Sequence, residues 1–327
     1  MKRRAFIALL SGAAAALPFA ARAQTRVRRV GVMHATAESD SESQARLAVF
    51  QDALRQLGWT VGGNVEIDNR WAAGSAERLR ANAAELVVSK PDVIVAGGTT
   101  QLAAVKRETS TIPIVVTQVI DPVGAGFVAS LARPGGNITG FAQHEYGLAV
   151  KWLEVMKQIA PHVIRVALVR DSFSGAAAGL LREMEPAARS LGVQLEPMAV
   201  SDTAEAERAV AAFAREPNGG LIVVGSPFTV AHRSVLIGLA ARHRLPAVYP
   251  FSYMARDGGL ASYGIDTRDL WRRSASYVDR ILKGEKPGEL PVQQATKFEL
   301  VINLKTAKTF GLDPPISLLA RTDEVIE

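Results

Sequence analysis

The sequence contains no cysteine, and this absence removes several kinds of chemistry at once. Disulfides, thiolate metal sites and thiol nucleophiles are all excluded. We also expect no amino-terminal lipid anchor, because Gln24 stands where a lipidated cysteine would be required. Stability must therefore come from packing, hydrogen bonds and ion pairs.

Motifs of common catalytic sites are scarce. The five histidines show no metal-ligand spacing, and His144-Glu145 lacks the second histidine of a zinc-protease helix. The chain has neither the G-x-S-x-G turn of many hydrolases nor the phosphate-binding G-x-x-x-x-G-K motif. Residues 124–129 match a loose dinucleotide fingerprint, but they follow a predicted fourth strand instead of a first. We predict a protein without enzymatic activity, cofactor or metal.

Long apolar runs are confined to the beginning of the chain. Basic residues at 2–4 precede an apolar stretch at 5–20, and Ala21-Arg22-Ala23 follows as a small-x-small cleavage pattern, as in a secretory signal. The alternative, a membrane anchor, needs about 20 apolar residues. We predict a signal peptide at 1–23, cleaved near Ala23, and a periplasmic protein. Arg3-Arg4 also resembles a twin-arginine signal, so the export route stays open.

No large excess of one charge remains after this cleavage. Loss of four basic leader residues lowers the formal charge from +6 to about +2, and no basic block remains. A nucleic-acid partner is therefore not expected. About 300 of the 327 residues remain, which is more than one core usually organises and predicts two domains.

Short Val- and Ile-rich runs alternate with helical patterns along the chain. This order is typical of parallel strands joined by crossover helices. Ser41 is predicted to begin the first helix, with Gln44 completing a capping box. Predicted strands lie at residues 29–33, 65–67, 92–96 and 114–117, and again at 166–169, near 195, at 221–224 and at 247–249.

The second series resembles a copy of the first. Gly58 and Pro113 have counterparts in Gly192 and Pro246, each about 135 residues later. The alternative explanation for this spacing is that glycine and proline regularly mark helix ends and turns in α/β proteins, without any duplication. The pattern predicts an α/β fold of two Rossmann-like lobes, each with a parallel sheet.

The last fifth of the chain predicts a hinge between these lobes. A strand at 260–264, a helix at 270–282 and a strand at 298–302 extend neither half simply. We expect the N-terminal lobe to comprise 24–142 plus 266–288, and the C-terminal lobe 143–265 plus 289–327. Three crossings would then join the lobes.

The strongest candidate site is Gly97-Gly98-Thr99-Thr100, which lies between a predicted strand and helix. Glycine allows close approach of a ligand, and unpaired N–H groups at a helix start favour an anion such as a carboxylate. The alternative is an ordinary turn capped by Thr100.

Further candidates lie at other predicted strand ends, where parallel sheets bind ligands. Asp121, Asp171 and Ser226 also fit turn or cap roles. Late aromatic residues, including Phe251 and Tyr253, fit either a ligand wall or an interlobe seam. The residues predicted to bind the ligand are His34, Gly98, Thr99, Thr100, Gln118, Asp121, Asp171, Ser172, Ser226, Tyr249 and Tyr263.

Several segments resemble the substrate-binding proteins of ABC transporters, in the group with tryptophan- and tyrosine-binding members. They lie at 61–64, 70–72, 91–96 and 121–124, and the most specific are SLARPGGN at 130–137 and TKFELVINLK at 296–305. The resemblance runs from about Arg29 to Glu327. It implies a type I periplasmic-binding fold, a hinged monomer, no catalysis, and solute delivery to a membrane permease driven by an ATPase.

This sequence departs from the family pattern at Thr100, at Ser226 and between His34 and Asp40. These positions face the expected pocket, so the ligand can differ from those of relatives. The expected ligand is a small polar molecule, either an aromatic amino acid or a related carboxylate. Two other functions stay open: a sensing partner of a membrane receptor, and an exported hydrolase or isomerase with Asp121 or Asp171 as base.

Overall fold

A computed structural model describes residues 26–143, 145–171 and 177–327 of the chain. The predicted leader, His144 and Ser172 lie outside these ranges. No helix within them is long and apolar enough to cross a bilayer.

Strands and helices alternate regularly in the first half of the chain. This half contains β1 (Arg28–His34), α1 (Ser41–Gln56), β2 (Val65–Trp71), α2 (Ala76–Val88), β3 (Val93–Ala96), α3 (Thr99–Glu108), β4 (Ile114–Ile120) and β5 (Ile138–Gln143).

The second half repeats this alternation. It contains α4 (Glu145–Ile159), β6 (Arg165–Asp171), α5 (Ala177–Ser190), β7 (Gln194–Val200), α6 (Thr203–Phe213), β8 (Gly219–Val223), α7 (Pro227–Ala231), α8 (Arg233–Arg242), β9 (Ala247–Tyr249), α9 (Ser252–Arg256) and β10 (Ala261–Ile265). The tail adds α10 (Thr267–Leu282), β11 (Gln293–Gln294), β12 (Phe298–Asn303), α11 (Leu304–Phe310), α12 (Ile316–Leu319) and β13 (Glu324–Ile326).

These strands form two sheets. The first has the order β11-β5-β4-β3-β1-β2, and the second has the order β13-β12-β10-β9-β8-β6-β7. All described pairs are parallel except β10 with β12, which run antiparallel. The predicted α/β architecture of two parallel-sheet lobes is confirmed.

The central strands are apolar because helices cover both faces of each sheet. Every residue of β3 and of β8 is buried. Helix α1 contributes Leu47, Phe50 and Leu54 to the core, at the spacing of one helical face. Burial of both sheet faces leaves polar groups mainly at the strand ends.

The tail crosses between the lobes. Helix α10 packs on α1 and strands β3–β5 of the first lobe, and β11 pairs with β5 in the first sheet. The returning segment therefore extends through Gln294, beyond the expected limit at residue 288. Asp266 and Lys297 lie on two crossing segments and are joined by an ion pair of 2.6 Å.

Two local expectations differ from the structure. The first helix is capped by Asp40, whose Oδ1 accepts from the Ser43 N–H at 2.8 Å, and the Gln44 amide donates to the Glu38 carbonyl. The predicted Ser41–Gln44 capping box is therefore wrong. Strand β5 and helix α4 were not predicted, since the mixed segment ITGFAQ lacks strand alternation although every residue is buried.

Gly140 is required where β5 passes β4. It has a φ of +134°, and a Cβ atom there would lie 2.1 Å from the Val116 carbonyl oxygen. We expect Gly140→Ala to lower the free energy of unfolding by at least about 2 kcal/mol through strain and overlap. Gly238→Ala is the matched control, because that helical position is exposed and has open space. Calorimetric melting of both variants measures the difference, and equal melting temperatures would contradict this role of Gly140.

Candidate functional site

A cleft lies between the two lobes. The first lobe contributes the ends of β1, β3, β4 and β5, together with parts of α1 and α10. The second lobe contributes the turns that lead from β8 into α7 and from β9 into α9. The carboxyl edges of both sheets therefore border one cavity, as expected for ligand sites in parallel sheets.

The turn from β3 to α3 brings backbone donors to this cleft. Gly97, Gly98, Thr99 and Thr100 all line it, and Gly98 caps α3 without a side-chain hydrogen bond. The first N–H groups of α3 have no partner within the helix. The Thr99 hydroxyl accepts from the Ile120 N–H at 3.1 Å, which fixes the turn against β4. The turn is suited to a negatively charged group.

Gly97 in this turn packs closely on the end of β1 and lies beside the indole of Trp271. A Cβ atom at Gly97 would lie 3.5 Å from Trp271 Cζ2 and 3.0 Å from the Met33 carbonyl oxygen. Trp271 lines the cleft and is 2 % exposed. Its buried Nε1 has no hydrogen-bond partner in the described chain. A bound acceptor would satisfy this donor.

His34, at the end of β1, belongs to an aromatic stack beside the turn. Its ring is parallel to Trp71 at 3.6 Å and to Trp271 at 5.6 Å between centroids. Burial is the main cause that lowers the pKa of His34 to about 4, and the hydrogen bond to Asn69 opposes it. The ring is therefore neutral at neutral pH, and Nε2 donates to Asn69 Oδ1 at 3.1 Å.

Arg46 is the charged residue among the described residues of the cleft lining. It projects from α1, donates from Nη2 to the Ser43 hydroxyl at 2.9 Å and lies 5.8 Å from the Tyr253 ring centroid. Its Nε is buried without a partner in the described chain. Arg46 forms no ion pair with a described residue, and such a cation in a cleft favours an anionic ligand.

Aromatic walls come from both lobes. Trp271 belongs to the first lobe, and the stacked rings of Phe251 and Tyr253, 5.5 Å apart, belong to the second. Such walls suit the apolar body of a ligand.

The structure brings six predicted ligand-binding residues together in the cleft lining. They are His34, Gly98, Thr99, Thr100, Gln118 and Ser226. Ser226 also caps α7 in a capping box with Thr229, so its predicted cap role and its position in the cleft coexist.

The other described candidates lie outside the lining. Asp121 is exposed with a φ of +39° and accepts from the Gly124 N–H, as in a turn. Tyr249 lies in the core, where burial raises the pKa of its hydroxyl. Tyr263 stacks on Phe298, and Asp171 ends β6. Ser172 lies outside the described residues.

Sequence reasoning missed Arg46 and Trp271. Both lie on amphipathic helices, and their sequence neighbours show no binding motif. An arginine among the apolar positions of α1 was the one available signal. No cluster suited to hold a metal ion occurs in the described part of the chain.

Comparison with known proteins agrees with this geometry. The family described as ABC transporter substrate binding protein matches residues 29–326. This match confirms the resemblance found in the sequence.

Individual relatives are similar over most of their length. A tyrosine-binding protein from Clostridioides difficile is 26 % identical over 269 residues, which cover 80 % of this chain and 75 % of the relative. A conserved domain protein from Vibrio cholerae is 29 % identical, with a TM-score of 0.84, over 92 % of this chain and 100 % of its own. An ABC domain from Streptococcus pneumoniae, solved with L-Trp, is 25 % identical, with a TM-score of 0.83, over 91 % and 99 %.

The buried neutral His34 predicts a component of acid sensitivity. Its pKa in the folded protein, about 4, lies below the ordinary value of 6.5, so the unfolded chain binds the proton first. The stability that this difference contributes is fully present above pH 6.5, is lost as pH falls toward 4, and amounts to about 3 kcal/mol.

We expect the melting temperature of His34→Gln to change less between pH 6.5 and 4 than that of the wild-type protein. Loss of the ring stacking lowers the melting temperature itself but does not restore this pH dependence. His243→Gln, at the end of α8, is the control and should keep the wild-type profile. Circular dichroism melts across this range measure both. An unchanged slope in His34→Gln would show that the ring does not titrate as described.

Proposed function

Because this chain belongs to the family of ABC transporter substrate-binding proteins, we propose that it is the extracytoplasmic solute receptor of an ABC importer. It closes two lobes around a small carboxylate with an aromatic body: an aromatic amino acid or a related acid. The observation that carries this proposal is one cleft that joins the unpaired helix start of α3, Arg46 and aromatic walls from both lobes.

The ligands of relatives support this class. One relative is named a tyrosine-binding protein, and a solved neighbour holds L-Trp. At 26 % and 25 % identity the binding sites can diverge, so the class rests first on the residues of this cleft.

Closure of the cleft is supported by an ion pair between the lobes. Arg233 of α8 lies 2.7 Å from Asp40, the cap of α1, and 2.6 Å from Asp257 of its own lobe. Asp40 and Arg233 are both largely buried. Arg233 also lies 5.4 Å from the Tyr253 ring, so the contact borders the cleft. Such a contact favours the closed arrangement of a hinged binding protein.

In this proposal the protein is exported through its predicted leader and delivers solute to a membrane permease and its ATPase. A sensing partner of a membrane receptor would use the same cleft. Permease and ATPase genes next to the gene for this protein would indicate transport and not sensing. An exported hydrolase is disfavoured because Asp121 and Asp171 do not line the cleft.

A ligand panel tests the proposal. Aromatic and aliphatic amino acids, aromatic acids, sugars and polyols are screened by thermal shift, and hits are measured by calorimetry. Mass spectrometry of molecules that co-purify with the protein extends the panel. We expect saturable binding of an aromatic carboxylate, with a raised melting temperature. Folded protein that binds no member of the panel and carries no solute would contradict the receptor function.

The interlobe ion pair predicts a measurable effect on opening. Asp40→Asn keeps the cap of α1 but removes the charge that faces Arg233. We expect the radius of gyration of the free protein to rise and ligand affinity to fall about three- to tenfold. Asp202→Asn is the matched control, because Asp202 caps α6 in the same way and makes no ion pair between lobes. Small-angle scattering and calorimetry measure both effects, and equal values for the two variants would exclude a role in closure.

A further inference from the structure

The charges around the cleft restrict the class of ligand more than the size of the cleft does. Arg46 is the charged side chain of the described lining, and the burial that lowers the pKa of His34 keeps that ring neutral. No aspartate or glutamate lies among the described residues that line the cleft. The described lining is therefore positive overall.

Two buried carboxylates near the cleft do not offset this charge, because each is already paired with an arginine. Asp40 lies 2.7 Å from Arg233, and Glu42 lies 2.6 Å from Arg268. Both carboxylates are largely buried, so neither is available to a ligand without breaking an ion pair.

The hydrogen-bonding groups without a described partner also favour an anionic ligand. Trp271 Nε1 and Arg46 Nε are buried donors without partners in the described structure, on two different helices that line one cleft. The start of α3 adds unpaired backbone N–H groups. Buried donors require acceptors, and a carboxylate provides acceptors only.

An α-amino acid brings a second charge that this lining does not match. Its ammonium group would be buried with a cation and, among the described residues of the lining, without a carboxylate partner, and burial of an unpaired charge is costly. A carboxylate without an ammonium group has no such cost.

We propose that the ligand is an aromatic carboxylate that lacks the α-ammonium group, held by Arg46, Trp271 Nε1 and the start of α3. This inference rests on the proposed receptor function and narrows its ligand class. The ring lies between Trp271 of the first lobe and Phe251 and Tyr253 of the second.

Matched ligand pairs test the inference on the full mature protein. Calorimetry compares phenylpropionate with phenylalanine, hydroxyphenylpropionate with tyrosine, and indolepropionate with tryptophan. Each pair differs only in the ammonium group. We expect the acid without the amine to bind at least about tenfold more tightly in at least one pair. Phenethylamine, which has the amine and no carboxylate, should not bind.

Variants of α1 connect this preference to Arg46. Arg46→Gln should weaken binding of the preferred acid at least about tenfold, and Arg46→Lys, which keeps the charge but lacks the Nε–H donor, should weaken it less. Arg55→Gln is the control, because Arg55 is exposed on the same helix and pairs with Asp52. Melting curves establish that each variant is folded.

The outcomes separate this inference from the receptor function. Tighter binding of the amino acid in every pair overturns the inference and leaves the receptor function intact. Binding of a sugar or polyol, with no acid bound, also overturns the inference and leaves the receptor function intact. Folded protein that binds neither the pairs nor any other panel member overturns both. Unchanged affinity in Arg46→Gln overturns the assigned role of Arg46.

Discussion

Parallel strands end at one edge of their sheet, and the rest of this structure depends on that constraint. Each sheet is covered by helices on both faces, so the central strands are apolar and their polar groups collect at the ends. Two such edges border one cleft here. Residues that are distant in the sequence, such as His34, Thr99 and Ser226, consequently line the same space.

The cleft combines donors with aromatic surfaces. The N–H groups at the start of α3, the indole of Trp271 and the guanidinium of Arg46 provide donors, whereas His34 stays neutral because it is buried in an aromatic stack. Neutral His34 adds no charge to the positive lining, and its stacking holds Trp271 in place. The same packing that stabilises the first lobe therefore fixes the geometry of the site.

The connections between the lobes relate this site to motion. Helix α10 carries Trp271 and returns to the first lobe between two crossing segments, which Asp266 and Lys297 tie together. The ion pair between Asp40 and Arg233 joins the start of α1 in the first lobe to α8 in the second. A ligand that contacts both lobes would add to these contacts in the closed arrangement, as in other hinged binding proteins.

The sequence by itself determined the alternation of strands and helices, the two sheets, the family and the Gly-Gly-Thr-Thr turn. Local rules suffice for these features, because apolar runs form buried strands and glycines mark strand-to-helix turns. The cap of α1 was misassigned by one residue, since Asp40 and Ser41 are both good cap residues.

Only the tertiary structure decided which side chains face the cleft. Tyr249 lies within β9 and enters the core, whereas Phe251, just beyond the strand, reaches the cavity. Arg46 and Trp271 lie on helices more than 200 residues apart, and periodicity shows which helix face is buried but not whether a core or a cleft covers it. That choice depends on contacts between distant segments, which no local pattern encodes.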